Sequence, residues 1–126
     1  MKLKDGVEID HLHPDLVAVL PFIELEYGKT LQDNGLHPNE ITITSGHEGE
    51  PMIGPHSKKS KHYIVNCPSG FGEAIDVRAN DILATIATEA AGRIAMQLRI
   101  FYPNKYKVFF EECLKPSCHI HVQIRT

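Results

Sequence analysis

The apolar residues of this chain recur at two different intervals, and the order in which those intervals change excludes an alternating strand and helix architecture. From His13 to Gly28, HPDLVAVLPFIELEYG carries Leu16, Val19, Leu20, Ile23 and Tyr27 at helical spacing, with Pro14 and Asp15 suited to a first turn and Gly28 to a C-cap. Pro21 lies inside this stretch and is expected to kink or split it. After the polar loop QDNGLHPNE, EITITSG alternates Ile41 and Ile43 with threonines, the mark of a half-buried strand ending at Gly46. Residues 46 to 70 show no sustained periodicity and read as a long loop, a feature that in a compact domain is functional or disordered. A second strand is expected from Phe71 to Val77. The helix ANDILATIATEAAGRIAMQLRIF follows, with Asn80 or Asp81 as cap and Leu83, Ile86, Ala87, Ala90, Ile94 and Leu98 as buried stripe. KYKVFFEE and CHIHVQIR close the chain as two strands around the LKPS turn, an expected antiparallel hairpin.

Helix, strand, long loop, strand, helix and hairpin do not make βαβ units. The expected fold class is therefore α+β, a single domain over residues 1–126 with helices packed on a mainly antiparallel sheet. A chain of 126 residues is long enough to bury one core without disulfide or metal staples. At 42% hydrophobic and 23% charged residues, extended disorder is excluded. The net charge of −3 gives no electrostatic reason to expect nucleic acid or an anionic membrane as partner. MKLKDGVEIDHLHPDL has no apolar run behind its lysines, and no window approaches the roughly 18 apolar residues of a membrane span, so folding in the cytoplasm is expected. Three cysteines, an odd number, make reduced thiols the default.

Eight histidines are the compositional feature that bears on chemistry. His62 in KKSKHY, Asp76 in GEAIDVR, and His119 and His121 in CHIHV all fall on or beside expected strands. Strand alternation projects His119 and His121 from one face, with Ile120 packing behind them. Two imidazoles so placed can share a metal, or one can bind it while the other assists. Imidazole and carboxylate suit a borderline ion such as Zn²⁺, and three protein ligands with a fourth position open is the catalytic arrangement. The bland alternatives are a pair of solvated or hydrogen-bonded histidines and, for Asp76, a turn or helix-capping carboxylate. G-x-S-x-G, H-E-x-x-H, Walker and G-x-G-x-x-G motifs are absent, which removes the common serine hydrolase, zincin and nucleotide-binding readings.

Taken together, HSKKSKHY with GEAIDVR, then VFFEE with HIHVQIR, resemble the zinc peptidase superfamily that contains the D-Ala-D-Ala carboxypeptidases, the L-alanyl-D-glutamate endolysins and the signalling domain of hedgehog proteins. That family's pattern is S-x-H-x-x-G-x-A-x-D followed by H-x-H or a lone late His, and ITITSG is similar to its ITSGYR strand. The resemblance covers roughly residues 13 to 125 and implies an α+β fold with a zinc site on the sheet face. It further implies His62, Asp76 and His121 as zinc ligands, His119 as a hydrogen-bond donor to the transition state, and His56 as a residue lining the cleft. The implied partner is a peptidoglycan stem peptide or a D-Ala dipeptide.

The chain departs from the pattern in three places. The interval from His62 to Asp76 is twice the family's, which makes His56 or Cys67 the substitute ligand should the insertion around IVNCPSG displace His62. The acid expected shortly before the last His is replaced by Cys118, and the hedgehog-like position falls on Glu111, with Glu112 beside it. Alternation lets only one of the two face the cleft, and Glu111 is preferred as proton shuttle. The arginine that many wall peptidases carry after SGY is missing from SGHEGE, where Glu48 stands. Arg78, Lys59 or Lys61 is left to hold a substrate carboxylate, or else each is a solvated surface charge. A rival structural zinc site of Cys113, Cys118, His119 and His121 lacks a recognised finger spacing. The two function classes that result are a zinc peptidase of the cell wall and a zinc-containing binding module of the same fold without turnover.

Overall fold

The computed structural model describes residues 1–38, 40–46, 61–62, 66–111 and 118–125. Glu48, Glu50, His56, Lys59, Glu112, Cys113 and the LKPS turn lie outside the described residues. Within them the chain forms β1 (Lys2–Leu3), α1 (Pro14–Asp33), β2 (Thr42–Ser45), β3 (Ala74–Arg78), α2 (Ala84–Phe101), β4 (Tyr106–Glu111) and β5 (His119–Ile124). The strands make one five-stranded mixed sheet in the order β1-β2-β3-β5-β4, parallel between β1 and β2 and antiparallel elsewhere. This is an α+β domain, and β4 and β5 pair as the expected antiparallel neighbours.

Both helices lie against one face of the sheet and against each other. Ile75 and Val77 of β3, Ile120, Val122 and Ile124 of β5, and Ile43 of β2 join Leu16, Val19, Ile23, Ala87, Ala90, Ile94 and Leu98 in a single buried cluster. At roughly 25 cal/mol per Å² of apolar surface removed from water, this cluster is the main source of stability. No helix among the described residues is long and apolar enough to cross a membrane.

Five local expectations are corrected. The first helix neither ends at Gly28 nor splits at Pro21, but runs unbroken to Asp33. Pro21 faces solvent, so water can satisfy the carbonyl its ring leaves without a partner, and the buried stripe continues through Thr30 and Leu31. That burial outweighs the roughly 1 kcal/mol helix penalty of Gly28. The helix stops instead at Gly35, whose φ of 73° permits the paired bonds Gly35 N–H to Gln32 O and Leu36 N–H to Leu31 O of a Schellman motif.

The second strand begins at Ala74 rather than Phe71, because Gly72 and Glu73 are engaged by Leu12 and by the loop before them. The cap of α2 is Leu83 without a side-chain bond, since Asn80 and Asp81 fall in a turn three and two residues before it. Leu83 itself is exposed and leaves the buried stripe to Ala87, Ala90, Ala91, Ile94 and Leu98.

Candidate metal centre

Strand alternation turns Asp76, His119, His121 and Gln123 to the sheet face away from the helices, because their neighbours Ile75, Val77, Ile120 and Val122 occupy the core. Register then decides who meets whom. Asp76 on β3 is directly opposite His121 on β5, which is in turn opposite Phe109 on β4; Arg78, His119 and Glu111 form the adjacent row. A register shift in β2 pairs Ser45 with Asp76 where an unbroken ladder would pair it with Ile75. Gly46, the next residue, is thereby brought to the edge of the same row.

His62 arrives from the loop before β3 and covers the row. Its Nδ1 lies 2.9 Å from the Gly46 carbonyl oxygen and its Nε2 lies 3.2 Å from Asp76 Oδ2. Gly46 must be glycine here, because a methyl group at that position would run into the Glu8 carbonyl oxygen. His121 Nδ1 stands 2.9 Å from Asp76 Oδ1, and its Nε2 stands 3.0 Å from Gln123 Oε1. The Phe109 ring stacks on the His121 ring at 4.8 Å, while His62 meets His121 edge to face at 5.3 Å. His119 Nε2 bridges two carboxylates, 3.4 Å from Asp76 Oδ1 and 3.0 Å from Glu111 Oε2.

The doubled interval between His62 and Asp76 does not separate them, and a buried carboxylate explains why. Glu73 is fully buried. Its Oε2 accepts hydrogen bonds from the Ser69 hydroxyl at 2.6 Å and the Ser69 N–H at 3.2 Å, and its Oε1 lies 3.8 Å from Lys61 Nζ. Lys61 Nζ also donates to the Asn66 carbonyl at 2.8 Å, and the Lys61 carbonyl accepts from the Glu73 N–H and the Cys67 thiol. Both ends of the inserted segment are thus clasped beside β3, and His62, next to Lys61, is delivered beneath Asp76.

The electrostatics follow from burial. Asp76 is 3% exposed at its side chain, against 45% for Glu111. Burial alone pushes the Asp76 carboxyl up, but hydrogen bonds from His121 and His62 and the nearby charges of His62 and His119 outweigh it and hold it well below the usual carboxylate range. Burial pulls His121 down, yet its bonds to Asp76 and Gln123 and the charges of Asp76 and Glu111 raise it above the ordinary histidine value. A buried carboxylate facing three imidazoles needs cations between them, and either protons or a metal ion can serve.

The donor set fits a metal. A carbonyl oxygen only accepts, so the Gly46 contact is served by a proton on His62 Nδ1, and the place between His62 Nε2 and Asp76 Oδ2 can be taken by a proton or by a metal ion. His62, Asp76 and His121, all buried, bring their ligand atoms within 4.8 Å of one another, and so do Glu111, His119 and His121. Two nitrogens and one oxygen suit a borderline divalent ion.

Of the residues singled out from the sequence, His62, Asp76, His119, His121 and Glu111 converge. The substitute Cys67 does not join them: its thiol is tied to Lys61, and burial pushes it up, away from the thiolate a metal requires. Lys61 is occupied at the clasp. Arg78 lies on β3 opposite His119 and lines a cleft of about 170 Å³ with Tyr27, His37 and Asp81. Asp76 sits inside β3 rather than at a turn or helix cap. Sequence reasoning missed Gly46, Glu73 and Gln123; for Gln123 the strand period that selected His119 and His121 carried the signal. Compared with protein-family models, with curated proteins and with solved structures, the chain matches none.

Proposed function

We propose that the chain is a small zinc metallopeptidase of the D-Ala-D-Ala carboxypeptidase and endolysin type, hydrolysing an amide bond in the peptide stems of bacterial cell wall. The fold that goes with this reading is the hedgehog and D-Ala-D-Ala peptidase arrangement, with zinc on the sheet face. The observation that carries it is a gradient of exposure across one sheet face. His62, Asp76 and His121 are buried and converge, while Glu111 stands at the solvent edge in contact with His119. Ligands sheltered from water with an acid at their rim suit hydrolysis better than a closed structural site.

His62, Asp76 and His121 would hold the zinc ion, which when bound would supply a Lewis acid for the scissile carbonyl and lower the pKa of water there to about 7. Glu111 accepts a proton and returns it to the leaving amine, a role open to a carboxylate that is half exposed and adjacent to the cluster. His119, steadied between Asp76 and Glu111, donates to the oxygen on which negative charge develops. Phe109, stacked on His121, and Asp76, opposite it, keep that ring fixed while protons move.

Elemental analysis of untagged protein purified without chelator should find about one zinc per chain, lost in His121→Ala. Mass spectrometry of purified stem peptides should then show one cleaved amide. Glu111→Gln is expected to keep zinc and lose turnover by roughly 10²- to 10⁴-fold. Turnover at the wild-type rate in that variant removes Glu111 from the role.

A second reading, a zinc-containing binding module without turnover, is favoured by one observation. Lys61, a candidate to hold a substrate carboxylate, is consumed by Glu73 and Asn66. Zinc-loaded wild type that binds stem peptides and leaves them intact would establish this second reading.

A further inference from the structure

Two residues of opposite charge, Arg78 and Asp81, line one cleft without meeting. That cleft, about 170 Å³, opens where the second half of α1, the start of β2 and the turn between β3 and α2 come together. His62, Asp76, Glu111, His119 and His121 take no part in its wall. Among the described residues no carboxylate pairs with the half-buried Arg78 guanidinium, and no cation pairs with the Asp81 carboxylate. A charge partly removed from water is favoured by an opposite charge beside it, so two such groups in one cleft would ordinarily close on each other.

The remaining lining explains what could stand between them. Glu40, the other acid of the cleft, is already taken by the amino group of Met1 and by Lys2 Nζ at 3.9 Å. Tyr27 links the two charged residues: its hydroxyl donates to the Arg78 carbonyl at 3.4 Å, and burial, with the charge of Asp81, pushes it up to about 12, so it remains a donor. Leu31, Leu36, Ile41 and Ile82 make much of the wall apolar. The volume equals five or six water molecules at roughly 30 Å³ each. It falls short of the roughly 300 Å³ at which pockets begin to take drug-sized ligands, which excludes a nucleotide and leaves a molecule of amino-acid size.

A simple anion at Arg78 would be opposed by Asp81, and a simple cation at Asp81 by Arg78. An α-amino acid carries a carboxylate and an ammonium on one carbon and satisfies both. We propose that this cleft binds a free aliphatic α-amino acid, its carboxylate at Arg78, its ammonium at Asp81 and its side chain against Leu31 and Ile82. The site depends neither on the metal centre nor on peptidase activity.

The test uses the full chain with L-leucine as probe, beside isocaproate, which lacks the amino group, and isoamylamine, which lacks the carboxylate. Calorimetric titration should find leucine bound at least about tenfold more tightly than either. In ¹H–¹⁵N correlation spectra the amides of Tyr27, Leu31, Thr42 and Ile82 should shift, and those of His62 and His121 should stay. Asp81→Asn should lower leucine to the affinity of isocaproate, and Arg78→Gln should lower it to that of isoamylamine. Should Arg78→Gln fail to fold, Asp81→Asn and the three ligands decide. Absence of saturable leucine binding, leucine held no more tightly than its one-charge relatives, shifts confined to other residues, or full leucine affinity in Asp81→Asn overturns the proposal.

Discussion

The two faces of the sheet are built from the same strands but are held together in different ways. Toward the helices, Ile75, Val77, Ile120 and Val122 are covered by side chains of α1 and α2, and each contact is one among many of its kind. Dispersion and burial are non-directional, so that face tolerates small displacements and does not depend on charge. On the other face Asp76, His62, His119 and His121 are packed as tightly in space, but every contact depends on which atom carries a proton. β3 takes part in both, with Ile75 and Asp76 as successive residues. One strand can therefore anchor a fold and carry a reactive site, because alternation keeps the two sets of side chains apart.

The sharpest way to break this division is at those neighbours. Asp76→Ala removes the carboxylate that three imidazoles face, and zinc affinity is expected to fall by about a thousandfold or more, roughly 4 kcal/mol. A competitive chelator titration measures it, and a variant with near wild-type affinity removes Asp76 from the site. Ile75→Ala should do the opposite: it costs roughly 2–5 kcal/mol of folding stability in urea denaturation, with the number of zinc ions bound per folded chain unchanged. Loss of stoichiometry in the folded Ile75→Ala protein would show that the two faces are not separable.

The smallest effect, and the one that sharpens the comparison most, is pH dependence. Asp76 is held below its ordinary 3.8, so its contribution to stability is present above that value and is lost as pH falls through the lower folded-state value. His121 is held above its ordinary 6.5, so in metal-free protein its contribution is complete below 6.5 and is lost as pH rises through the higher folded-state value. Metal-free protein should accordingly lose a little stability on going from mildly acidic to mildly alkaline buffer. Zinc competes with the His121 proton, so its affinity moves the other way, strengthening by up to about tenfold per pH unit until that proton is gone. Denaturation across pH, with and without zinc, reads both trends, and parallel trends would contradict the shared site.

How much of this was readable from sequence depended on the range of the interaction. The period-2 pattern of CHIHVQIR placed His119 and His121 on one face, and GEAIDVR placed Asp76 in a strand, because alternation is a local property of the chain. The α+β class followed from the order of periodicities in the same way. Boundaries were less legible: Gly28 and Asn80 look like helix punctuation, but tertiary burial of Leu31 and the turn at residues 80–82 decided where α1 ended and α2 began. Gly46 was beyond reach, since nothing near it in sequence announces that the Glu8 carbonyl will pass over it. Glu73 reads as an ordinary surface acid until the segment from Lys61 to Ser69 folds around it.

The clasp at Glu73 also changes what a motif interval measures. Distance along the chain between His62 and Asp76 records how much polypeptide has been threaded between two fixed points, whereas distance in space is set where Lys61, Glu73 and Ser69 meet. Lengthening such a segment costs little, on the order of 0.6 kcal/mol for each doubling, and leaves the gauge at its base untouched. Ligand spacing in chains of this kind is then a tally of loop, and the invariant to seek is the pair of residues that ties it off.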